Sequence, residues 1–111
     1  MSMRFYDQLP QRLRELAYHA GRDYAWNKQC TIEVIEALTQ LGAPIYGIEV
    51  WLATTPGPTI PGPFIYHWTA PVGADPHEAN KAAREYVRLF EWDDSDEENK
   101  SNEPYFNITS I

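Results

Sequence analysis

The chain has 111 residues, 43% of them hydrophobic and 14% aromatic, with a mean hydropathy of −0.51 and a formal net charge of −7. This length suffices for one hydrophobic core, so a single domain over residues 1–111 is predicted. Because the sequence has no run of the roughly 18–20 apolar residues that span a membrane, no apolar signal-peptide core and only one cysteine, we expect a cytoplasmic protein with no disulfide and no membrane association.

The negative charge is concentrated near the end of the sequence. Residues 1–90 contain nine acids and eight bases, a balance of −1, whereas residues 91–111 contain seven acids and one base, a balance of −6. Nucleic-acid binding requires clustered lysine and arginine, so no nucleic-acid partner is expected. The distribution is compatible with a basic protein partner, because a local negative field accelerates encounter with one.

The first part of the chain predicts two helices. Leucine and alanine recur at helical spacing over Leu9–Ala20, which predicts an amphipathic first helix. Asp23–Asn27 follows as a short connection in which Trp26 is expected to be a buried anchor. The second helix is expected to begin near Asn27 or Thr31, since either side chain can cap a helix.

A strand follows the second helix directly. The helix ends at Leu41, because Gly42 suits a left-handed C-terminal residue and Pro44 cannot continue a helix. From Ile45 the apolar period becomes two, which is typical of a strand. This period places one set of side chains in the core and the alternate set outside: Tyr46, Ile48, Val50 and Leu52 inside, and Ile45, Gly47, Glu49 and Trp51 outside.

A hairpin and a third helix are predicted next. Thr54–Pro63 is rich in proline and glycine and is predicted to be an exposed loop, which leads into a second strand at Phe64–Ala70. The third helix is predicted over Asp75–Trp92, with Asp75 as its cap and Pro76 in its first turn.

The end of the chain completes an α+β domain. Residues 91–103 form an acidic connecting segment, and Pro104–Ile111 is a predicted last strand with Phe106 and Ile108 facing inward. The element order is therefore α-α-β-β-α-β, which predicts a small antiparallel or mixed sheet of three strands packed by three helices.

No metal, cofactor or catalytic motif is predicted. The histidines and the cysteine lack the spacings of metal ligands, and Cys30 is interpreted as a structural residue. Glu49 and His67 would form an acid–base pair only in a register that places them opposite each other in the hairpin. We therefore expect no enzyme.

Two stretches are candidate partner-binding surfaces. Glu49 with Trp51 pairs a carboxylate and an aromatic ring on the outward face of the strand, as in interface hot spots, unless a helix also covers Trp51. The acidic run that follows the third helix is the other candidate, and it is either a docking surface or only a solvated linker. Its candidate residues are Trp92, Asp93, Asp94, Asp96, Glu97 and Glu98.

A set of motifs follows a fixed order along the chain. It starts with a tryptophan, a helix of the form A-L-x-x-L-G-x-P-I and a strand of the form G-x-(acid)-V-(aromatic). It continues with a strand tryptophan, a helix with an A-x-x-Y-(V/I) core and a closing strand. The residues of these motifs are Trp26, Ala37, Leu38, Leu41, Gly42, Pro44, Ile45, Gly47, Glu49, Val50, Trp51, Trp68, Ala83, Tyr86, Val87 and Tyr105–Ile108. In this order, they resemble the immunity protein 40 family of bacterial polymorphic toxin systems.

This resemblance implies a cytoplasmic inhibitor that binds a cognate toxin domain delivered by a neighbouring bacterium. Many such toxins are nucleases with basic substrate clefts, which an acidic surface could occupy. The alternative function is that of a regulatory or scaffold domain that binds another host protein without a toxin partner. A third is a small enzyme that uses Glu49 and His67.

Overall fold

A six-stranded antiparallel sheet organises the computed structural model, which describes residues 5–20, 23–53, 59–61, 66–92 and 103–110. A 3-10 turn at Phe5–Gln8 precedes three α-helices: α1 Gln11–Leu16, α2 Lys28–Leu41 and α3 Pro76–Leu89. The strands are β1 Tyr18–Ala20, β2 Asp23–Asn27, β3 Ile45–Ala53, β4 Thr59–Pro61, β5 His67–Thr69 and β6 Pro104–Ser110. The predicted α+β class is therefore confirmed.

The last strand lies at the centre of the sheet. The strand order is β1-β2-β6-β3-β4, and β5 pairs with the same edge of β3 as β4 does. The predicted antiparallel pairing of β3 with β5 is confirmed, but the prediction of three strands was wrong. One unpredicted strand, β4, lies in the proline-rich stretch, where Pro61 is tolerated because it ends an edge strand.

The other two unpredicted strands replace the last three residues of the predicted first helix and the connection predicted at Asp23–Asn27. α1 ends at Leu16, and Ala17 is already extended with ψ 139°. β1 then pairs with β2, which places His19 opposite Tyr24. Cross-strand aromatic packing outweighs the helical spacing of the leucines and alanines. Trp26 is a fully buried anchor, as predicted, and its Nε1 donates to the Leu13 carbonyl at 2.7 Å.

The α2–β3 connection has the predicted chemistry. Asn27 caps α2 by accepting a hydrogen bond from the Cys30 amide at 2.9 Å. Gly42 adopts φ 73°, and the Ala43 amide returns to the Leu38 carbonyl at 2.9 Å. This left-handed residue turns the chain out of the helix, and the strand begins three residues later.

A buried asparagine on α3 holds this turn in place. Asn80 accepts from the Ile45 amide at 2.9 Å and donates to the Ala43 carbonyl at 3.0 Å and to Thr39 Oγ1 at 3.1 Å. Its side chain therefore satisfies backbone groups that α2 and β3 cannot pair with each other. The helical pattern alone did not identify this residue, because an isolated asparagine in a helix is typically solvent-exposed.

A register shift changes which residues of β3 enter the core. Between Ile45 and Gly47 the pairing with β6 slips by one residue. Ile45 is consequently fully buried, whereas Tyr46 is half exposed, so the predicted inward position of Tyr46 and outward position of Ile45 were wrong. Beyond the shift, Ile48 and Val50 face the core as predicted.

The third helix and the last strand agree with the prediction except at one boundary. The Asp75 carboxylate accepts from the amides of His77 and Glu78, which confirms the predicted cap. α3 ends at Leu89, before the predicted Trp92, because Phe90 is extended with ψ 131°. In β6, Phe106 and Ile108 are buried as predicted.

Candidate functional site

The helices cover only one face of the sheet. Alternate residues of the strands enter the core with α2 and α3, and they include Trp26, Ile48, Val50, Tyr66, Phe106 and Ile108. Their neighbours along each strand point the other way. We call this second surface the open face. Its residues are Asp23, Ala25, Gly47, Glu49, Trp51, His67, Thr69, Tyr105, Asn107 and Thr109.

Glu49 lies at the centre of the open face. It is opposite Asn107 of β6 on one side and His67 of β5 on the other, so three polar side chains form a row across three strands. Its Oε1 accepts from Trp51 Nε1 at 3.1 Å. The Asn107 side chain is oriented by donating to the Tyr24 carbonyl at 2.8 Å. Both glutamate and histidine of this row are solvent-exposed.

Trp51 is on the predicted face but is not exposed. Only 4% of its surface is accessible, although it does not belong to the main core cluster. It lies opposite Tyr105, whose ring contacts Tyr18 edge-on with centroids 6.3 Å apart. Trp51 therefore holds the Glu49 carboxylate and does not present an exposed ring, so the prediction of an exposed aromatic hot spot was wrong for this residue.

Burial also changes the pKa of Tyr105, which lies opposite Trp51. It raises the pKa of Tyr105, with a further contribution from the negative charge of the nearby Glu103. Tyr105 thus remains a neutral phenol at physiological pH, and its hydroxyl is a hydrogen-bond donor as well as an acceptor. The open face combines this phenol with an amide, a carboxylate and an imidazole.

The basic residues of the described chain are confined to the helical side of the sheet. All six lysines and arginines in the described part of the chain lie on helices: Arg12, Arg14, Lys28, Lys81, Arg84 and Arg88. Three of them form ion pairs with helical glutamates. By contrast, the charged residues of the open face are Asp23 and Glu49, and Glu103 precedes the first residue of β6. The formally charged side chains of the described open face are therefore all carboxylates.

The predicted binding residues do not form one surface. Trp92 is partly buried on the helical side of β5, with its ring 5.1 Å from those of Tyr66 and Phe90. Glu49 and Trp51 lie on the opposite side of the sheet. The remaining predicted residues lie outside the described part of the chain: Asp93, Asp94, Asp96, Glu97 and Glu98.

The described residues offer limited material for catalysis. They contain no group of three or more His, Cys, Asp or Glu side chains that could hold a metal ion. Cys30 is buried, and burial raises the pKa of its thiol, which disfavours the nucleophilic thiolate. The Glu49–His67 register required for an acid–base pair is present, but both residues are exposed, so water is not excluded from them.

Comparisons with models of known protein families, with curated proteins and with solved structures find no match for this chain. Among the described residues, no helix has both the length and the apolar character needed to cross a membrane.

Three members of the site were not predicted from the sequence: Asn107, Tyr105 and Asp23. The signal for the first two was present, since the inward positions of Phe106 and Ile108 require their neighbours to point outward. Their position beside Glu49 depends on β6 lying next to β3, which the order of elements does not determine.

Proposed function

We propose that this chain is an immunity protein that neutralises a cognate bacterial toxin domain by stoichiometric binding, and that the open face is its binding surface. The observation that carries this proposal is that the described lysines and arginines lie only on the helices, whereas the charged side chains of the open face are carboxylates. A sheet face with carboxylates and no described lysine or arginine is complementary to a basic protein surface.

The composition of the open face suits a protein partner. Tyr105 contributes aromatic area, and Asn107, Glu49 and His67 contribute hydrogen-bonding groups in fixed positions. Glu49 is held by Trp51 before any partner arrives, so binding costs less side-chain entropy than it would for a free glutamate. An open face whose exposed side chains are mostly polar resembles a protein interface more than an enclosed apolar pocket.

The acidic residues after Trp92 contribute to the same function by steering. Residues 91–111 carry a balance of −6, and a basic toxin would be attracted by this charge before contact is made. Replacing Asp93, Asp94, Asp96, Glu97 and Glu98 with their amides should therefore slow association about tenfold at low salt and flatten its salt dependence. Stopped-flow association kinetics measure both quantities. An on-rate at low salt that equals that of the unmodified chain would contradict the steering role.

The first experiment is a pull-down of the toxin domain. An immunity gene lies just downstream of its toxin gene, so the test protein is the C-terminal domain of the exported protein encoded upstream. One-to-one binding that abolishes the toxicity of this domain is the expected result. A domain that remains toxic and unbound would leave the scaffold function as the better hypothesis.

A matched pair of charge reversals then locates the interface. Glu49→Lys changes the open face, whereas Glu78→Lys makes the same change at an exposed position of α3. We expect Glu49→Lys to weaken toxin binding at least about tenfold, equivalent to about 1.4 kcal/mol, and Glu78→Lys to change it less than about twofold. Isothermal titration calorimetry measures both affinities. Equal effects of the two variants would exclude the open face as the interface.

A further inference from the structure

A second surface feature lies on the helical side of the sheet, between α3 and the edge strand β5. It is a groove of ≈ 490 Å³ that shares only His67 with the open face. Its lining residues are Tyr66, His67, Ala82, Glu85, Tyr86, Leu89, Phe90 and Glu91. Its position at the sheet edge makes it accessible to a partner that already covers His67 on the open face.

The floor and walls of this groove are aromatic. Tyr66 and Phe90 are buried and pack edge-to-face with centroids 5.5 Å apart, and Tyr86 continues the same cluster at 6.1 Å from Phe90. Leu89 lies at the margin and is 62% exposed. The phenol of Tyr86 is partly desolvated, and its burial beside Tyr66 raises its pKa. These rings are held by the core and do not need to rearrange to accept a side chain.

Two carboxylates complete the lining. Glu85 forms a bidentate ion pair with Arg88, which donates from Nε to Oε1 at 3.0 Å and from Nη2 to Oε2 at 2.7 Å. Glu91 is exposed, and no lysine or arginine in the described ranges forms an ion pair with it. Lys28 reaches the same end of α3 from the α2 side, where it donates to the Phe90 carbonyl at 2.9 Å, but it does not line the groove.

We propose that this groove recognises an arginine side chain of a partner protein, with the guanidinium over the aromatic wall and its N–H groups directed at Glu91. Aromatic faces and a nearby unpaired carboxylate are the two groups that a planar cation engages best. The alkyl part of the arginine would cover the exposed Leu89.

The inference rests on the proposed function only for the identity of the partner. A basic toxin surface would supply such an arginine, and Glu91 begins the acidic stretch that would attract that surface. The groove itself can be tested without any toxin, so that failure of one proposal is distinguishable from failure of the other.

The probe is Nα-acetyl-arginine N-methylamide, titrated into the ¹⁵N-labelled chain and followed by amide chemical shifts. Saturable shifts are expected at Tyr66, Leu89 and Glu91, with weak affinity because a single side chain is offered. The citrulline analogue has nearly the same shape without the charge, and we expect it to bind about tenfold more weakly. Equal binding of both probes, or shifts centred on Glu49, would overturn the assignment.

Two variants distinguish a direct contact between Glu91 and the arginine probe from a general effect of the negative charge of the chain. Glu91→Gln removes the carboxylate from the groove and should weaken the arginine probe about three- to tenfold. Glu78→Gln removes the same charge from the other end of α3 and should leave the affinity unchanged. If the two variants bind the probe equally well, Glu91 is not its partner and the proposal fails. A chain that binds the toxin domain but not the probe would refute this inference alone.

Discussion

Neighbouring residues of β6 illustrate the difference between the two faces of the sheet. Phe106 is fully buried, and its ring packs edge-on against Phe90 at 5.6 Å. Asn107 lies on the open face, where a single side-chain hydrogen bond to the Tyr24 carbonyl orients it. Stability is thus concentrated on the covered face, which leaves the open face free to change its chemistry at low cost to the fold.

The largest expected effect is at the centre of the covered face. Phe106→Ala should lower the free energy of unfolding by about 3–5 kcal/mol, because it removes a fully buried ring and leaves a cavity. Thr109→Ala, an exposed position on the same strand, should change it by less than about 0.5 kcal/mol. Urea denaturation of the two variants provides the comparison. Similar midpoints would show that the covered face does not dominate stability.

A smaller effect is expected at the hydrogen-bonded turn between α2 and β3. Asn80→Ala should cost about 2–4 kcal/mol, since it leaves the Ile45 amide and the Ala43 carbonyl without their partners. Lys81→Ala, at the next and exposed position of α3, is the matched control and should lie within about 0.5 kcal/mol of the unmodified chain. Denaturant midpoints that coincide for the two variants would contradict the role of Asn80.

The smallest expected effect is a loss of stability at alkaline pH, to which one tyrosine on each side of the sheet contributes. Burial raises the pKa of Tyr86 on the helical side and of Tyr105 on the open face above the ordinary value of 10.0. The folded chain therefore keeps phenolic protons that the unfolded chain releases. This contribution to stability is complete below about pH 10 and is lost as the pH rises through the folded pKa values.

Two conservative variants measure how much the tyrosine on each side of the sheet contributes to this pH dependence. Tyr86→Phe and Tyr105→Phe should each reduce the loss of stability between about pH 9 and about pH 11, since phenylalanine has no proton to release. Urea midpoints across this range measure the slope. Slopes identical to that of the unmodified chain would show that neither phenol is linked to unfolding.

Local chemistry allowed several features to be predicted from the sequence. Asn27 and Asp75 cap their helices through side-chain oxygens placed next to free amides, and Gly42 supplies the left-handed turn. Such features depend on a few adjacent residues, so they are recognisable in a linear pattern. The same is true of the inward positions of Phe106 and Ile108, which follow from the period of two.

Only the tertiary structure decided which residues share a surface. The pairing of β6 with β3 placed Asn107 and Tyr105 beside Glu49. The register shift placed Ile45 in the core and left Tyr46 half exposed. Strand order and bulges arise from contacts between distant segments, which no local pattern encodes. The sequence by itself determined the caps, the turn and the concentration of charge after residue 90. That the open face has carboxylates and no described lysine or arginine required the folded sheet.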